Sequence, residues 1–293
     1  MKKIIKFCLS PLPWTVRDQI TYFTTFRRRA NIKNPVYFTE KVLCRKHYDC
    51  KENTLFSLLA DKYRVRSYVE EKIGADYLIP LQHTVDNPDD LRALRLSLDD
   101  VVVKPTHGAG MVHFFETPPS EHALDEAIIT FQQWLAANFS SHSHEYHYQA
   151  IQPRLIIEKR IHGEEPSLRD YKIHLFRQPD GSHWFVLQTI DNRFTGEVGH
   201  RFYINSMEHA ELVNIRTLLE KAVELSIILA DRLDYARYDW YVAAGKLWFG
   251  EITLTPAAGF TVSLGEELDK LMGSRWNYQK QLVTPKTTAA GPA

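Results

Sequence analysis

Apolar and polar positions along the chain fall into two rhythms, one near 3.6 residues and one near 2, and they alternate. Residues 53–73 place Leu55, Leu58, Leu59, Tyr63, Val69 and Ile73 at helical spacing before Gly74, which predicts one or two helical pieces stopped by the glycine. Ser120 precedes a stripe of Leu124, Ala127, Ile128, Phe131 and Leu135, so it reads as the cap of an amphipathic helix. A longer helix is expected over 210–233, and a helical stretch over 87–97 with Pro88 in its first turn. β-rich runs predict strands at 77–81, 100–105, 111–115, 154–158, 170–176 and 183–190, the last two joined by Pro179-Asp180-Gly181. The stretch SSHSHEYHY (140–148) reads as a polar loop. There is no internal repeat. This order predicts an α+β (mixed α/β) fold built on antiparallel sheets.

The most informative segment is RYDWYVAAGKLWFGEITLTPAAGFT, residues 237–261. Two aromatic-rich runs flank an Ala-Gly turn, and each carries one carboxylate inside a strand, Asp239 and Glu251. A three-residue loop, Ala243-Ala244-Gly245, would set residue 239 opposite 249 and residue 251 opposite 237. The carboxylates would then share a face as a diagonal pair, roughly 7–8 Å apart or less. Such a pair suits a hard cation, because Mg²⁺ takes one or two carboxylates together with phosphate oxygens. A two-residue loop would put them on opposite faces. Trp240, Tyr241, Trp248 and Phe249 alternate as core residues of the hairpin rather than as a base-stacking platform.

Composition narrows the function classes. The 293 residues balance 36 Lys+Arg against 36 Asp+Glu, so no global field selects nucleic acid. Cys8, Cys44 and Cys50 form no Cys-x-x-Cys pair, which fits a reducing cytoplasm better than a disulfide framework. The start MKKIIKFCLSPLPW is interrupted by Lys6, Pro11 and Pro13 and does not read as a signal peptide. Its lysines and Arg27–Arg29 read as a solvated basic face with at most weak peripheral membrane contact.

Lys104 ends a valine strand and precedes Thr106-His107-Gly108-Ala109-Gly110. A lysine beside a glycine loop can set its ammonium on a nucleotide phosphate while loop amides close over the others. The loop is neither a P-loop nor a dinucleotide fingerprint, since Gly-x-x-x-x-Gly-Lys is absent and a strand follows. No Gly-x-Ser-x-Gly elbow occurs, and His144-Glu145-Tyr146-His147 is one residue short of a zinc motif and reads as loop. Glu158 closes a strand where it can bind an amine or ribose hydroxyl, or pair with Lys159 or Arg160; Asp170 and Lys172 share a strand face.

Together FTEK (38–41), ADKYRVRSYV (60–69), VVVKPTHGAG (101–110), LIIEK (155–159), DYKIHLF (170–176), RYDWY (237–241) and FGEITLTPAAGF (249–260) resemble the ATP-grasp superfamily. More narrowly they resemble its TupA-like branch of teichuronopeptide and polysaccharide biosynthesis, from about Pro35 to Gly273. The resemblance implies a clasp of two α+β subdomains, at 83–160 and 161–284, behind an N-terminal region 1–82 and before a tail 285–293. It implies ATP and Mg²⁺ as cofactors. Lys62 and Lys104 would meet the nucleotide, His107, Gly108, Ala109 and Gly110 would cover its phosphates, and Glu158 and its neighbour Lys159 would hold adenine at the interdomain hinge, mostly by backbone. Glu165 would take the ribose, Asp239 and Glu251 would hold metal, and Arg237 and Lys172 would face transferred phosphate. Thr253 stands where many relatives carry Asn, which bears on a second metal. The implied reaction is a cytoplasmic carboxylate–amine ligation, amidating a uronic acid-type saccharide with an amine or amino acid through an acyl phosphate. A sugar kinase, a glycosyltransferase and a non-catalytic nucleotide-binding protein are the rival readings.

Overall fold

Strand β2 (Val101–Pro105) shows how the sequence organises the first half of the molecule. Val101 and Val103 point into a core, and Val102 and Lys104 point the other way, as period 2 requires. A computed structural model describes residues 11–163, 168–192 and 196–279. Among them β1 (Leu81–Val85), β2, β3 (His113–Phe115) and β4 (Leu155–Lys159) form an antiparallel sheet in the order β1-β4-β2-β3. Five more strands form a second antiparallel sheet: β5 (Asp170–Arg177), β6 (His183–Asp191), β7 (Gly199–Ile204), β8 (Tyr235–Ala243) and β9 (Lys246–Thr253). Their order is β7-β6-β5-β8-β9.

The α-helices among the described residues are α1 (Trp14–Phe26), α2 (Phe38–Cys44), α3 (Thr54–Ala60), α4 (Val65–Ile73), α5 (Glu121–Ala136), α6 (Phe139–Ser143), α7 (Arg216–Ala230) and α8 (Gly265–Arg275). Ser120 accepts from the Ala123 amide at the start of α5, a cap worth about 1 kcal/mol. The apolar stripe of α5 (Leu124, Ala127, Ile128, Phe131) then packs on Val101, Val103, Leu155 and Ile157. Behind the second sheet, Leu219, Ala222, Leu225 and Leu229 of α7 pack on Ile173, Leu175, Tyr238 and Ile252. Trp240 is fully buried there, with its indole N–H on Ser226 Oγ at 3.0 Å. The front face is apolar at one end, where Phe38, Phe176, Tyr235 and Trp276 cluster with α2 and α8, and polar at the other.

Several expected elements shift. The strand expected at 77–81 begins only at Leu81, after a 3₁₀ turn at Ala75–Tyr77. Pro80 has no N–H for the ladder and instead accepts from the Lys159 amide. The 87–97 stretch forms two 3₁₀ turns, Pro88–Arg92 and Arg95–Ser97, rather than a helix. The polar 140–148 segment is not a solvated loop. Ser140, His144, Glu145 and His147 are all buried, because His144 meets Asp18 at 2.7 Å and Glu145 accepts from Thr255. The edge strand β7 and the helices α1 and α8 have no counterpart in the sequence reading.

Candidate functional site

The β8–β9 hairpin turns on two residues, not the three expected. Ala243 pairs with Lys246, and Ala244 and Gly245 between them have φ of 51° and 67°, the left-handed pair of a type I′ turn. Counted straight from that turn, Glu251 would fall opposite Tyr238 and face the core. A β-bulge corrects the phase. Trp240 pairs with Phe249 but Asp239 pairs with Glu251, so Gly250 is the extra residue. The two carboxylates therefore share a face and stand directly opposite one another, not diagonally. A Cβ on Gly250 would lie 3.0 Å from the Asp239 carbonyl oxygen and 3.1 Å from the Tyr241 ring.

Two cross-sheet rows result. Lys172 pairs with Asp239, which pairs with Glu251; His174 pairs with Arg237, which pairs with Thr253. Arg237 Nη2 lies 2.8 Å from Asp239 Oδ2 and 2.9 Å from both Glu251 Oε1 and Thr253 Oγ1. Its Nε donates to Asp239 Oδ1 at 2.6 Å. Lys172 Nζ donates to Asp239 Oδ2 and to Asp170 Oδ1, the latter at 3.2 Å. Three oxygens from three residues thus converge on one cationic nitrogen. Among the described residues no group of three or more His, Cys, Asp or Glu gathers to hold a metal. The oxygen set still fits Mg²⁺, which needs only one or two protein carboxylates and completes its shell with phosphate and water.

Across the cleft, β2 and β4 present Lys104 and Glu158. Lys104 Nζ donates to Glu158 Oε2 at 2.9 Å, and Arg66 of α4 takes the other oxygen at 2.9 Å. Arg66 also donates to the Ile79 carbonyl at 2.8 Å. Lys62, between α3 and α4, donates through Nζ to the Gly108 carbonyl. A single cleft of about 730 Å³, its open mouth included, is lined by Lys62, Arg66, Lys104, Ala109, Gly110, Glu158, Asp239 and Glu251. Its apolar lining is Val65, Leu78, Met111, Val112, Ile156, Tyr241, Phe249 and the backbone of Gly250.

Some predicted site residues stand elsewhere. The His107 ring is buried and turned to the Ala137 carbonyl at 3.2 Å, away from the cleft. Burial holds its pKa below the ordinary imidazole value. Lys159 is exposed outside the cleft lining, with its amide on Pro80. The Glu158 carboxylate itself is held by two cations, Lys104 and Arg66. Glu165 lies outside the described residues. Arg66 and the apolar lining escaped the sequence reading; Arg66 is one of three basic residues in KYRVR, and only the fold shows which of them turns inward.

Charge at the site is unevenly balanced. Burial disfavours ionised Glu251, yet Lys62, Arg237 and Lys172 outweigh it and hold the carboxyl well below the usual carboxylate range. Burial lowers the Lys62 ammonium, helped by Lys104 and opposed by Glu251 and Glu158. Burial also works against Arg237, but Asp239 and Glu251 raise it above its ordinary value. Glu251 is thus held ionised beside the guanidinium of Arg237, an arrangement that suits a polyphosphate with its counter-cation.

Two antiparallel sheets closing on a cleft, one presenting a lysine strand and the other an opposed carboxylate pair, define the ATP-grasp class. The family model described as TupA-like ATP-grasp matches residues 40–277, and the chain belongs to that family. No curated protein matches the chain. Solved structures similar to it include D-alanine-D-alanine ligase from Helicobacter pylori, with 17% identity, 76% of this chain and 62% of that one covered, and a TM-score of 0.47. N5-carboxyaminoimidazole ribonucleotide synthetase from Thermus thermophilus is similar at 15% identity, with 67% and 45% covered and a TM-score of 0.41. A RiPP-associated ATP-grasp ligase from Chryseobacterium gregarium is similar at 14% identity, with 80% and 64% covered and a TM-score of 0.39. The chain spans less than two thirds of the length of each of these.

Proposed function

We propose that the protein is an ATP-dependent carboxylate–amine ligase that joins an amine or amino acid to a uronic acid-type carboxylate in bacterial surface polysaccharide synthesis. The observation that carries the reading is the opposed Asp239–Glu251 pair, ringed by Arg237, Lys172 and Lys62 and facing Lys104 across one cleft. Family membership supports the nucleotide chemistry and, through the TupA-like branch, the polysaccharide setting.

In this reading adenine lies against Ile156 and Phe249, while Lys62, Lys104 and the loop amides from Gly108 to Gly110 hold phosphate oxygens. Asp239, Glu251 and Thr253 would hold Mg²⁺. Held there, the cation would supply positive charge to offset the negative charge that develops on the phosphate. Arg237 and Lys172 are positioned by Asp239 to face the phosphoryl group as it moves. A carboxylate oxygen of the acceptor attacks the γ-phosphorus and ADP leaves. The amine nitrogen then attacks the acyl carbon, loses a proton, and expels phosphate. No protein nucleophile is required; positioning and charge neutralisation carry the rate.

The test is an ADP-release screen of purified protein with Mg-ATP, uronic acids and amines, singly and in combination. The reading expects release only when both substrates are present, with a product heavier by the amine less water. ADP formation together with a stable phospho-sugar in the absence of any amine would identify a kinase instead.

A further inference from the structure

The first helix carries two apolar faces, and only one of them is used by the fold. Trp14, Asp18 and Tyr22 turn inward: Trp14 stacks on His144 at 5.4 Å, Asp18 is ion-paired to Lys46 at 2.6 Å, and Tyr22 is fully buried. On the opposite side Val16, Ile20 and Phe23 are 42%, 37% and 49% exposed. Spacings of four and three keep these three within an arc of about 60°, and Arg27 caps the end of that row. Val16, Ile20 and Phe23 also border a shallow depression with Arg29. A helix lying on a soluble body has no folding reason for a second, outward stripe.

Charge indicates what the stripe meets. Residues 1–39 contain eight Lys/Arg and a single acid, Asp18, leaving 28 basic and 35 acidic residues in the rest of the chain. That lone acid is buried, so it cancels nothing at the surface. Arg28 is drawn inward to Asp269 at 2.8 Å, but Arg27, Arg29 and Lys33 are exposed. A protein balanced overall therefore carries its excess positive charge in the same stretch of sequence as this exposed apolar stripe, with Arg27, Arg29 and Lys33 exposed beside the helix. No described helix is long and apolar enough to cross a membrane.

We infer that α1 is an interfacial docking helix that seats the protein on an anionic lipid bilayer, with Val16, Ile20 and Phe23 entering the headgroup boundary and Arg27, Arg29 and Lys33 facing anionic headgroups. Apolar area and basic charge on one surface reinforce each other in this way, and each basic residue adds to the attraction of an anionic leaflet.

Co-sedimentation with vesicles tests this directly, using pure phosphatidylcholine and phosphatidylcholine with about one-third phosphatidylglycerol. Wild type is expected to partition at least tenfold more strongly onto the anionic vesicles, and to lose that preference as salt rises to about 0.5 M. Ile20→Asp/Phe23→Asp and Arg27→Glu/Arg29→Glu should each reduce partition at least tenfold, with circular dichroism spectrum and melting temperature retained. Deletion of residues 2–10 should weaken binding without abolishing it. Equal partition onto both vesicle types, or none onto either, would overturn the inference. So would binding that survives Ile20→Asp/Phe23→Asp but vanishes with residues 2–10. A wild-type dimer dispersed by Ile20→Asp/Phe23→Asp in sedimentation would assign the stripe to a second copy of the chain and overturn it as well.

Discussion

Asp239 and Glu251 stand directly across the β8–β9 pair from one another, and the residue that puts them there is Gly250. Because the turn has two residues, strict alternation would have sent the Glu251 side chain into the core beside Trp240. The bulge absorbs one residue and returns Glu251 to the face of Asp239. A side chain at 250 would press on the Asp239 carbonyl and the Tyr241 ring, at 3.0 and 3.1 Å from its first carbon. Gly250→Val should therefore cost about 1–3 kcal/mol in chemical denaturation. It should also reduce ATP turnover at least tenfold, with Gly250→Ala intermediate in both.

Glu251→Gln tests the charge rather than the geometry. The amide keeps the shape and still offers one oxygen to Arg237 and Thr253, so the melting temperature should change little. Turnover of Mg-ATP should fall at least a hundredfold, because one of the two carboxylates proposed to hold the cation would be gone. Wild-type ADP release by this variant would place the metal elsewhere.

Arg66 shares the Glu158 carboxylate with Lys104, one oxygen each. Without Arg66 the whole carboxylate would be left to Lys104 and would draw it from the phosphate of the proposed nucleotide. Arg66→Ala should raise the KM for ATP several-fold while kcat changes less than twofold, and isothermal titration should show the same loss in ATP affinity. Equal loss in both parameters would mean that Arg66 acts on the transferred phosphate itself.

Much of this site was legible, though not always for the right reason. Lys104 and the carboxylate pair stand out because strands seldom carry charge without a use for it. The face shared by Asp239 and Glu251 was expected, but from a three-residue turn; the true device combines a two-residue turn with a bulge. A bulge leaves only a glycine as its trace, and Gly250 reads equally well as a strand residue. Arg66 was hidden because helical position alone does not tell which of several cations turns toward a cleft. β1 slid four residues because Pro80 cannot join a ladder, and the burial of Glu145 depends on Thr255, more than a hundred residues away. Contacts of that range have no local signature.

His147 supplies a pH dependence of stability. It is buried, and burial, seconded by Arg45, holds its pKa down at about 3. An unfolded histidine takes up its proton near pH 6.5, whereas the folded one stays neutral until far lower. The unfolded state thus binds more protons between those values, and stability is lost as pH falls below about 6.5, by up to about 1.4 kcal/mol per pH unit from this residue. Denaturation midpoints measured from pH 7 to 4.5 should decline accordingly, and the decline should be shallower in His147→Gln. Parallel slopes would show that His147 is protonated in the folded protein.

If ATP activates a carboxylate, one oxygen of that carboxylate must leave with the phosphate. Once the ADP-release screen has found an active pair, the acceptor is labelled with ¹⁸O in its carboxylate and the inorganic phosphate is analysed by mass spectrometry. Attack by the carboxylate on the γ-phosphorus, followed by expulsion of phosphate by the amine, carries one labelled oxygen into that phosphate. Phosphate carrying one acceptor-derived ¹⁸O for each amide formed is the expected result. Unlabelled phosphate, or label retained in a phosphorylated sugar, would contradict it.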